Sequence, residues 1–183
     1  MANSDSGQAN DEFFTLWVII AQAKDALLAA RQKEYNRFHI KNERRAVLLA
    51  IQNNGGQSTP SEIARFLFHK INSVSEMLKR MQKQGLIKKH KIPGKTRVVV
   101  KLTEKGHQVF NQSLNNEVDK RILSVLSKNE REQLRSYLFT IRKQALRELG
   151  IPEWSVVFPP NPAHYDDGKQ VKVKRIRSNP GHN

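Results

Sequence analysis

The order of helix and turn signals between Thr59 and Lys101 constrains the fold more than any other feature of the chain. Thr59-Pro60-Ser61-Glu62 combines an N-cap residue, a proline at the first helical position and an acid that completes a capping box, so it predicts a helix start. A second helix is predicted from Ile71 to Gln84 and ends at Gly85, which accepts the left-handed backbone of a helix terminus. Two short helices joined by a tight turn are therefore expected here.

A lysine-rich β-hairpin is predicted directly after the second helix. Leu86-Ile87 opens its first strand, Pro93-Gly94 provides the turn, and Val98-Val99-Val100 forms the returning strand. Between residues 69 and 101 the chain carries ten lysine or arginine residues and a single acid, Glu76, so nine of the +15 formal net charge fall in this segment. A positive field of this density favours a polyanionic partner, with nucleic acid first and an anionic membrane surface second.

Apolar residues at helical spacing predict the flanking elements. A first helix begins at Asp11, and a helix from Lys41 to Gln52 ends at Asn53-Asn54-Gly55-Gly56. One long helix is expected from Thr103 to about Leu126, and a last one from the capping box Ser127-Lys128-Asn129-Glu130 to Gly150. The residues predicted to form the apolar face of each helix are, helix by helix, Phe13, Leu16, Trp17, Ile20, Ala23 and Leu27; Val47, Leu48, Ala50 and Ile51; Ile63, Ala64 and Phe66–Phe68; Ile71, Val74, Met77, Leu78 and Met81; Phe110, Leu114, Val118, Ile122, Val125 and Leu126; and Leu134, Leu138, Ile141, Ala145 and Leu149. Those from Val47 to Met81 are predicted to be buried.

These elements predict a mainly α protein with one small β-hairpin. The expected divisions are a disordered leader (1–10), an N-terminal helix (11–40), a helix-turn-helix with its hairpin (41–103), two C-terminal helices (104–150) and a Pro-rich, basic tail (151–183). The tail is expected to pack on a partner subunit, to contact DNA through its basic residues, or to be disordered at its end. Those basic residues are Lys172, Lys174, Arg175 and Arg177.

The residue inventory argues against several other classes of protein. The chain has no cysteine, which excludes disulfides and thiolate zinc sites, and its six histidines have no metal-ligand spacing. No catalytic triad, carboxylate pair or phosphate-cradling glycine loop is present, so we predict no enzyme activity, no cofactor and no metal. The dense apolar run from Phe13 to Ile20 is too short to span a bilayer, so a cytoplasmic protein without a membrane partner is expected.

Three sequence segments together resemble the MarR family of bacterial and archaeal repressors. They are Asn72 to Ile87, Arg97 within the hairpin, and Leu102-Thr103-Glu104-Lys105-Gly106 directly after it. The resemblance implies a winged helix-turn-helix, a homodimer built from the first and last helices, a recognition helix at Ile71 to Gln84, and a wing arginine at Arg97. Two positions depart from the family pattern: Lys95 replaces a usual aspartate, and Glu76 stands where many members carry an arginine.

The predicted recognition helix has a polar face suited to base edges. Asn72 can pair with adenine, Glu76 can accept a hydrogen bond from cytosine N4, and small serines allow close approach. The alternative is an ordinary solvated helix face. The basic hairpin can contact phosphates and the minor groove, or it can simply protect an exposed edge from aggregation. The predicted DNA-binding residues are Thr59, Ser61, Lys70, Asn72, Ser73, Ser75, Glu76, Lys79, Arg80, Lys88, Lys89, Lys91, Lys95 and Arg97.

The family resemblance also implies a pocket for a small aromatic ligand, between the terminal helices and the DNA-binding part. Trp17, Phe38 and Phe110 are the candidate lining residues, and plain core packing is the alternative for each of them.

Three functional hypotheses follow. The first is a homodimeric, sequence-specific regulator, a repressor released by a small ligand, that binds a pseudo-palindromic operator in double-stranded DNA. The second is an architectural protein that binds any duplex without ligand control. The third is an RNA-binding or protein-docking winged helix, which is weakened because residues 75–101 lack the aromatic side chains that stack on single strands.

Overall fold

The computed structural model describes residues 5–91, 98–114 and 117–156. The predicted hairpin turn at Pro93-Gly94, together with Lys95, Arg97 and most of the basic tail, therefore lies outside the described residues. The first helix begins at Asp5 rather than at Asp11, so part of the predicted leader is helical.

Most of the described chain is helical, which confirms the predicted fold class. The helices are α1 (Asp5–Tyr35), α2 (Asn42–Asn53), α3 (Pro60–Leu67), α4 (Ile71–Lys83), α5 (Glu104–Gln112), α6 (Glu117–Leu123) and α7 (Lys128–Glu148); the strands are β1 (Gln57–Ser58), β2 (Ile87–Lys91) and β3 (Val98–Leu102); and short 3-10 turns occupy Asn36–Phe38 and Glu153–Ser155.

The three strands form one antiparallel sheet in the order β1-β3-β2. The predicted hairpin is present, with Ile87 opposite Leu102 and Lys91 opposite Val98. The two-residue strand β1 was not predicted. It pairs with β3 on the side opposite to β2, and Ser58 lies opposite Val100. This short strand ties the loop before α3 to the hairpin, so the helix-turn-helix and the wing share one sheet.

The core lies between α2, α3, α4 and the sheet. Val47, Ile51, Ile63 and Val100 are completely buried, as are Val74, Leu78 and Met81 of α4. Among the residues of α2, α3 and α4 that were predicted to be buried, two are exposed instead: Phe68 is 55% exposed and Ile71 is 44% exposed. The prediction was wrong there because Phe68 turns the chain at the end of α3, and Ile71 begins α4 before that helix reaches the core.

The long helix predicted after Thr103 is divided into α5 and α6. At the end of α5 the Ser113 hydroxyl donates to the Phe110 carbonyl oxygen at 2.6 Å, a bond that competes with continued helix. The new helix α6 is held at its start by α1, because the Val118 N–H donates to the Glu34 carboxylate at 3.0 Å. The Arg31 guanidinium also binds the Asp119 carboxylate, with Nε 2.7 Å from Oδ1. Contacts with α1 therefore accompany the break in the helix.

The segment after α7 turns back onto the same chain. Gly150 adopts a positive φ of 63°, and the Ile151 N–H donates to the Leu146 carbonyl oxygen at 2.9 Å, as at a glycine-terminated helix end. Val156 is only 5% exposed, and Arg65 of α3 donates to the Ser155 carbonyl oxygen at 3.5 Å. The described beginning of the tail thus packs beside the helix-turn-helix of its own subunit.

The Leu-Thr-Glu-Lys-Gly segment fastens the hairpin to the end of α4. The Thr103 hydroxyl donates to the Gly85 carbonyl oxygen at 2.5 Å and accepts from the Gly106 N–H at 3.1 Å. The Thr103 N–H donates to the Leu86 carbonyl oxygen at 3.1 Å. A β-carbon at Gly106 would lie 2.0 Å from that same Leu86 oxygen. We call residues 103–106 with Gly85 and Leu86 the clasp, and its close packing accounts for the glycine.

Helices α1 and α7 expose large apolar side chains in the single chain. Phe13 and Trp17 are each 70% exposed on α1, and Tyr137 is 64% and Leu138 49% exposed on α7.

The helical segment Asp11–Phe38 is also long and apolar enough to cross a membrane, by length and composition only. The expectation of too short a run was therefore wrong, because it considered Phe13 to Ile20 without the helix that continues beyond them. This criterion is also met by signal sequences and by helices that are buried in soluble proteins.

We expect Gly106→Ala to lower the free energy of unfolding by about 1–3 kcal/mol, because the added methyl group overlaps the Leu86 backbone, which cannot move without displacing α4. Urea unfolding followed by circular dichroism measures the change. Gln108→Ala, on the exposed side of the same helix, is the matched control and should leave the midpoint nearly unchanged. Equal stability of the Gly106 variant and the control would contradict the role given to the clasp.

Candidate nucleic-acid interface

The capping box before α3 forms as predicted. The Thr59 hydroxyl accepts from the Glu62 N–H at 3.2 Å, and the Glu62 carboxylate accepts from the Thr59 N–H at 2.7 Å. Asn54 and Ser58 also donate to this carboxylate, at 3.1 and 3.3 Å. Thr59 is only 9% exposed, so its hydroxyl serves the helix start, whereas Ser61 beside it is exposed.

Helix α4 is anchored by one side and presents the other to solvent. Val74, Leu78 and Met81 are completely buried against the core. They recur at helical spacing and fix the rotation of the helix about its axis. Ser75 is half-buried at the margin of this anchor. The predicted DNA-binding residues that α4 exposes are Asn72, Ser73, Glu76, Lys79 and Arg80.

Glu76 is the acid within this exposed face. Its carboxylate lies 2.6 Å from the Lys79 ammonium group, and both side chains are more than half exposed. The hydrogen bond and charge of Lys79, with smaller contributions from the charges of Arg80 and Lys89, lower the pKa of Glu76. Glu76 is therefore ionised at neutral pH and can only accept hydrogen bonds. Lys89 lies on strand β2, which packs against α4, so its charge also acts on this face.

The described part of the wing carries its lysines towards solvent. Lys88 and Lys91 are exposed on β2, Lys89 is half-buried, and Lys70 is exposed just before α4. Lys88 lies directly opposite Lys101 on β3. Like charges in opposed positions of an antiparallel pair destabilise a sheet. This repulsion would fall on contact with a polyanion, so the charge arrangement favours a bound state over the isolated protein.

The three candidate ligand residues lie in different surroundings. Trp17 is 70% exposed, Phe38 packs half-buried against the core, and Phe110 is 1% exposed within it. The Arg45 guanidinium lies 5.0 Å from the centre of the Phe110 ring and donates to the Ser113 hydroxyl at 3.1 Å. This arrangement gives Phe110 a packing role in the single chain.

Two cavities occur elsewhere on the described surface. One is an apolar groove of about 340 Å³ along α6 and α7, which we call the α7 groove, and it is flanked by Arg131, Arg135 and Arg142. The other is a cleft of about 170 Å³ between α2, α3 and Ser155. Neither contains Trp17, Phe38 or Phe110.

Within the described residues, no group of three or more His, Cys, Asp or Glu side chains could hold a metal ion. The described side chains that suit a polyanion are those on the exposed face of α4 and the lysines of β2. Sequence reasoning missed two exposed residues where the chain enters α4, Phe68 and Ile71. No signal in the sequence marks the first, because Phe68 ends α3 with a left-handed backbone (φ 54°) that glycine or asparagine usually supplies at a helix end.

Comparison with known proteins agrees with this geometry. A sequence model described as MarR family matches residues 41–98. No curated protein sequence matches the chain. The ligand-free structure of the organohalide-sensing transcriptional regulator RdhR is 29% identical, with a TM-score of 0.73, over 88% of this chain and 96% of that one.

Two further structures extend the comparison. RdhR bound to 2,4-dichlorophenol is 30% identical, with a TM-score of 0.68, over 80% of this chain and 88% of that one. A mutant MarR from Escherichia coli, complexed with operator DNA, is 18% identical, with a TM-score of 0.65, over 72% of this chain and 96% of that one, and it supports the fold alone. Because the family model matches residues 41–98 and a regulator 30% identical covers 80% of the chain, the chain belongs to the MarR family of transcriptional regulators.

Proposed function

We propose that this protein is a homodimeric, sequence-specific DNA-binding repressor of the cytoplasm, released from its operator by a small aromatic molecule. The observation that carries the proposal is the exposed polar face of α4, held by three completely buried side chains beside a lysine-bearing strand. A ligand-blind architectural protein would need the positive charge but not the asparagine, serine and glutamate of that face.

The proposed DNA contacts fall into two groups. The exposed face of α4 reads base edges, with Asn72 facing adenine and Glu76 facing cytosine. The lysines before α4 and on β2 bind phosphates, where they set affinity rather than sequence. Thr59 acts through the start of α3. Arg97 is the wing arginine that the family resemblance implies, and it and Lys95 are proposed to reach the minor groove or its phosphates. The remaining members of the proposed surface are Ser61, Lys70, Ser73, Ser75, Lys79, Arg80, Lys88, Lys89 and Lys91.

A second copy of the chain is the proposed cover for α1 and α7. Soluble proteins rarely leave a contiguous apolar surface of this kind in water, and residues 11–40 and 104–150 are accordingly proposed as the dimerisation parts. Charges support the pairing, because Asp11 and Glu12 precede the aromatic residues of α1, while the α7 groove is flanked by three arginines. A twofold dimer would place two α4 helices in successive major grooves, about 34–36 Å apart, on a near-palindromic site.

We expect Trp17→Lys combined with Phe13→Lys to convert dimers to monomers, because two buried charges cannot be desolvated in an apolar interface. Sedimentation velocity measures the mass, and circular dichroism confirms that the helical fold remains. Lys24→Ala, at an already exposed position of α1, is the control and should stay dimeric. A monomeric wild type that sediments with anionic vesicles would instead assign α1 to a membrane surface.

The regulator hypothesis is tested with DNA from upstream of the protein's own gene. We expect that fragment to remain bound in the presence of a large excess of random duplex, as measured by fluorescence anisotropy. Equal affinity for both DNAs, with near-complete loss on adding salt, would support the architectural alternative instead. The affinities should be measured at several salt concentrations, because binding that depends on phosphate contacts weakens steeply as salt is added.

Two substitutions should separate base reading from phosphate binding. Asn72→Ala should reduce discrimination between operator and random duplex by about 1–3 kcal/mol, because alanine cannot hydrogen-bond to a base edge. Lys88→Ala should weaken binding to both DNAs alike and make the log–log salt slope shallower by about 0.9 for each phosphate that is no longer neutralised. If both variants lower the affinity for all DNAs by the same factor, base reading does not reside on α4.

The proposed ligand response is tested with 2,4-dichlorophenol, the molecule bound in the RdhR structure. A releasing ligand must bind the free dimer more tightly than the operator-bound dimer. We therefore expect the phenol to lower operator affinity, and operator DNA to lower phenol affinity by the same factor, as measured by calorimetry. Phenol binding that leaves operator affinity unchanged would contradict ligand control by this class of molecule.

A further inference from the structure

Two large apolar side chains stand exposed where the chain enters the recognition helix. Phe68 is 55% exposed and Ile71 is 44% exposed, and Lys70 between them is exposed as well. We call Phe68 and Ile71 the entrance patch. Neither residue belongs to the core or packs against it as a partly buried member, so burial within this subunit does not account for their size.

Phe68 also adopts a backbone conformation that is unfavourable for phenylalanine. Its φ of 54° lies in the left-handed region, and its N–H closes the end of α3 on the carbonyl oxygens of Ala64 and Arg65. Glycine or asparagine adopts this conformation at less cost than a residue with a bulky side chain. Local preference and solvent exposure therefore both disfavour phenylalanine here. Such a conflict is expected where a residue serves a partner rather than the fold.

The surroundings of the entrance patch indicate what that partner is. Ile71 lies at the border of the buried stripe of α4, next to Ser75 on the side that leads to the exposed Lys79. No acid occurs between residues 63 and 75, whereas Arg65 and Lys70 are cationic. An apolar patch inside a cationic, polar face fits a polyanion that offers apolar groups between its hydrogen-bonding groups.

Duplex DNA offers that combination in its major groove, where the 5-methyl group of thymine stands beside the hydrogen-bonding edges of the bases. We propose that the entrance patch packs against thymine methyl groups, so that Ile71 and Phe68 select thymine at fixed positions of each half-site. This inference rests on the proposed DNA-binding function and extends it, since these two residues would add a reading of methyl groups to the hydrogen-bond reading by Asn72 and Glu76.

The test removes the methyl group from the DNA and the patch from the protein. A preferred site is first selected from a random duplex pool with the wild-type dimer, and each thymine is then replaced singly by deoxyuridine. We expect one or two of these replacements per half-site to weaken binding by about fourfold, the effect of burying one methyl group. Ile71→Ala and Phe68→Asn should bind the thymine and deoxyuridine duplexes with nearly equal affinity.

Phe68→Asn keeps the test independent of folding. Asparagine accepts the left-handed conformation, so this variant should unfold at the same or a higher temperature than the wild type while it loses methyl sensitivity. Lys88→Ala is the matched control: it should weaken binding to both duplexes but keep their ratio.

Each other outcome is decisive. A wild type that is insensitive to every deoxyuridine replacement, or variants that keep the wild-type ratio, would overturn the inference while leaving the regulator function intact. A wild type that selects no sequence from the pool would overturn the proposed function itself, and the entrance patch with it.

Discussion

The clasp between Thr103–Gly106 and the Gly85–Leu86 backbone is the contact on which the geometry of the candidate interface depends. Thr103 uses its hydroxyl and its N–H on two successive carbonyl groups at the end of α4, and Gly106 allows α5 to approach one of them. One segment thereby fixes the end of the recognition helix, the return of the wing and the start of α5. A wing that moved independently of α4 could not present its lysines in register with the bases that α4 is proposed to read.

The isolated chain has an excess of positive charge in one region and an excess of exposed apolar surface in another. Positive charge is concentrated on the wing and the outer face of α4, where like charges lie opposite each other in the sheet. Apolar surface is concentrated on α1 and α7, far along the sequence from that charge. Each excess costs free energy in the single chain and would be relieved by a different proposed partner, a polyanion or a second subunit. The entrance patch combines both features on a small scale, which is why its proposed partner must offer both phosphate and methyl groups.

Local signals in the sequence located most elements of the fold. Both predicted capping boxes form, at Thr59 and Ser127, because their hydrogen bonds join residues only three positions apart. The inward stripe of α4 was recovered from Val74 to Met81, since a helix periodicity is decided by neighbours on the same helix. The exposed polar residues of that helix followed from the same periodicity, so most of the described candidate site was predictable.

The sequence by itself determined which segments are helical, where the basic wing lies and which faces are apolar, because these depend on residues within one or two turns of each other. Only the tertiary structure decided the features that depend on distant residues. The pairing of β1 with β3, the break between α5 and α6 beside Arg31 and Glu34, and the exposure of Phe68 and Ile71 all belong to this group. Periodicity tells which side of a helix is apolar, but whether that side is covered depends on how the chain packs around it.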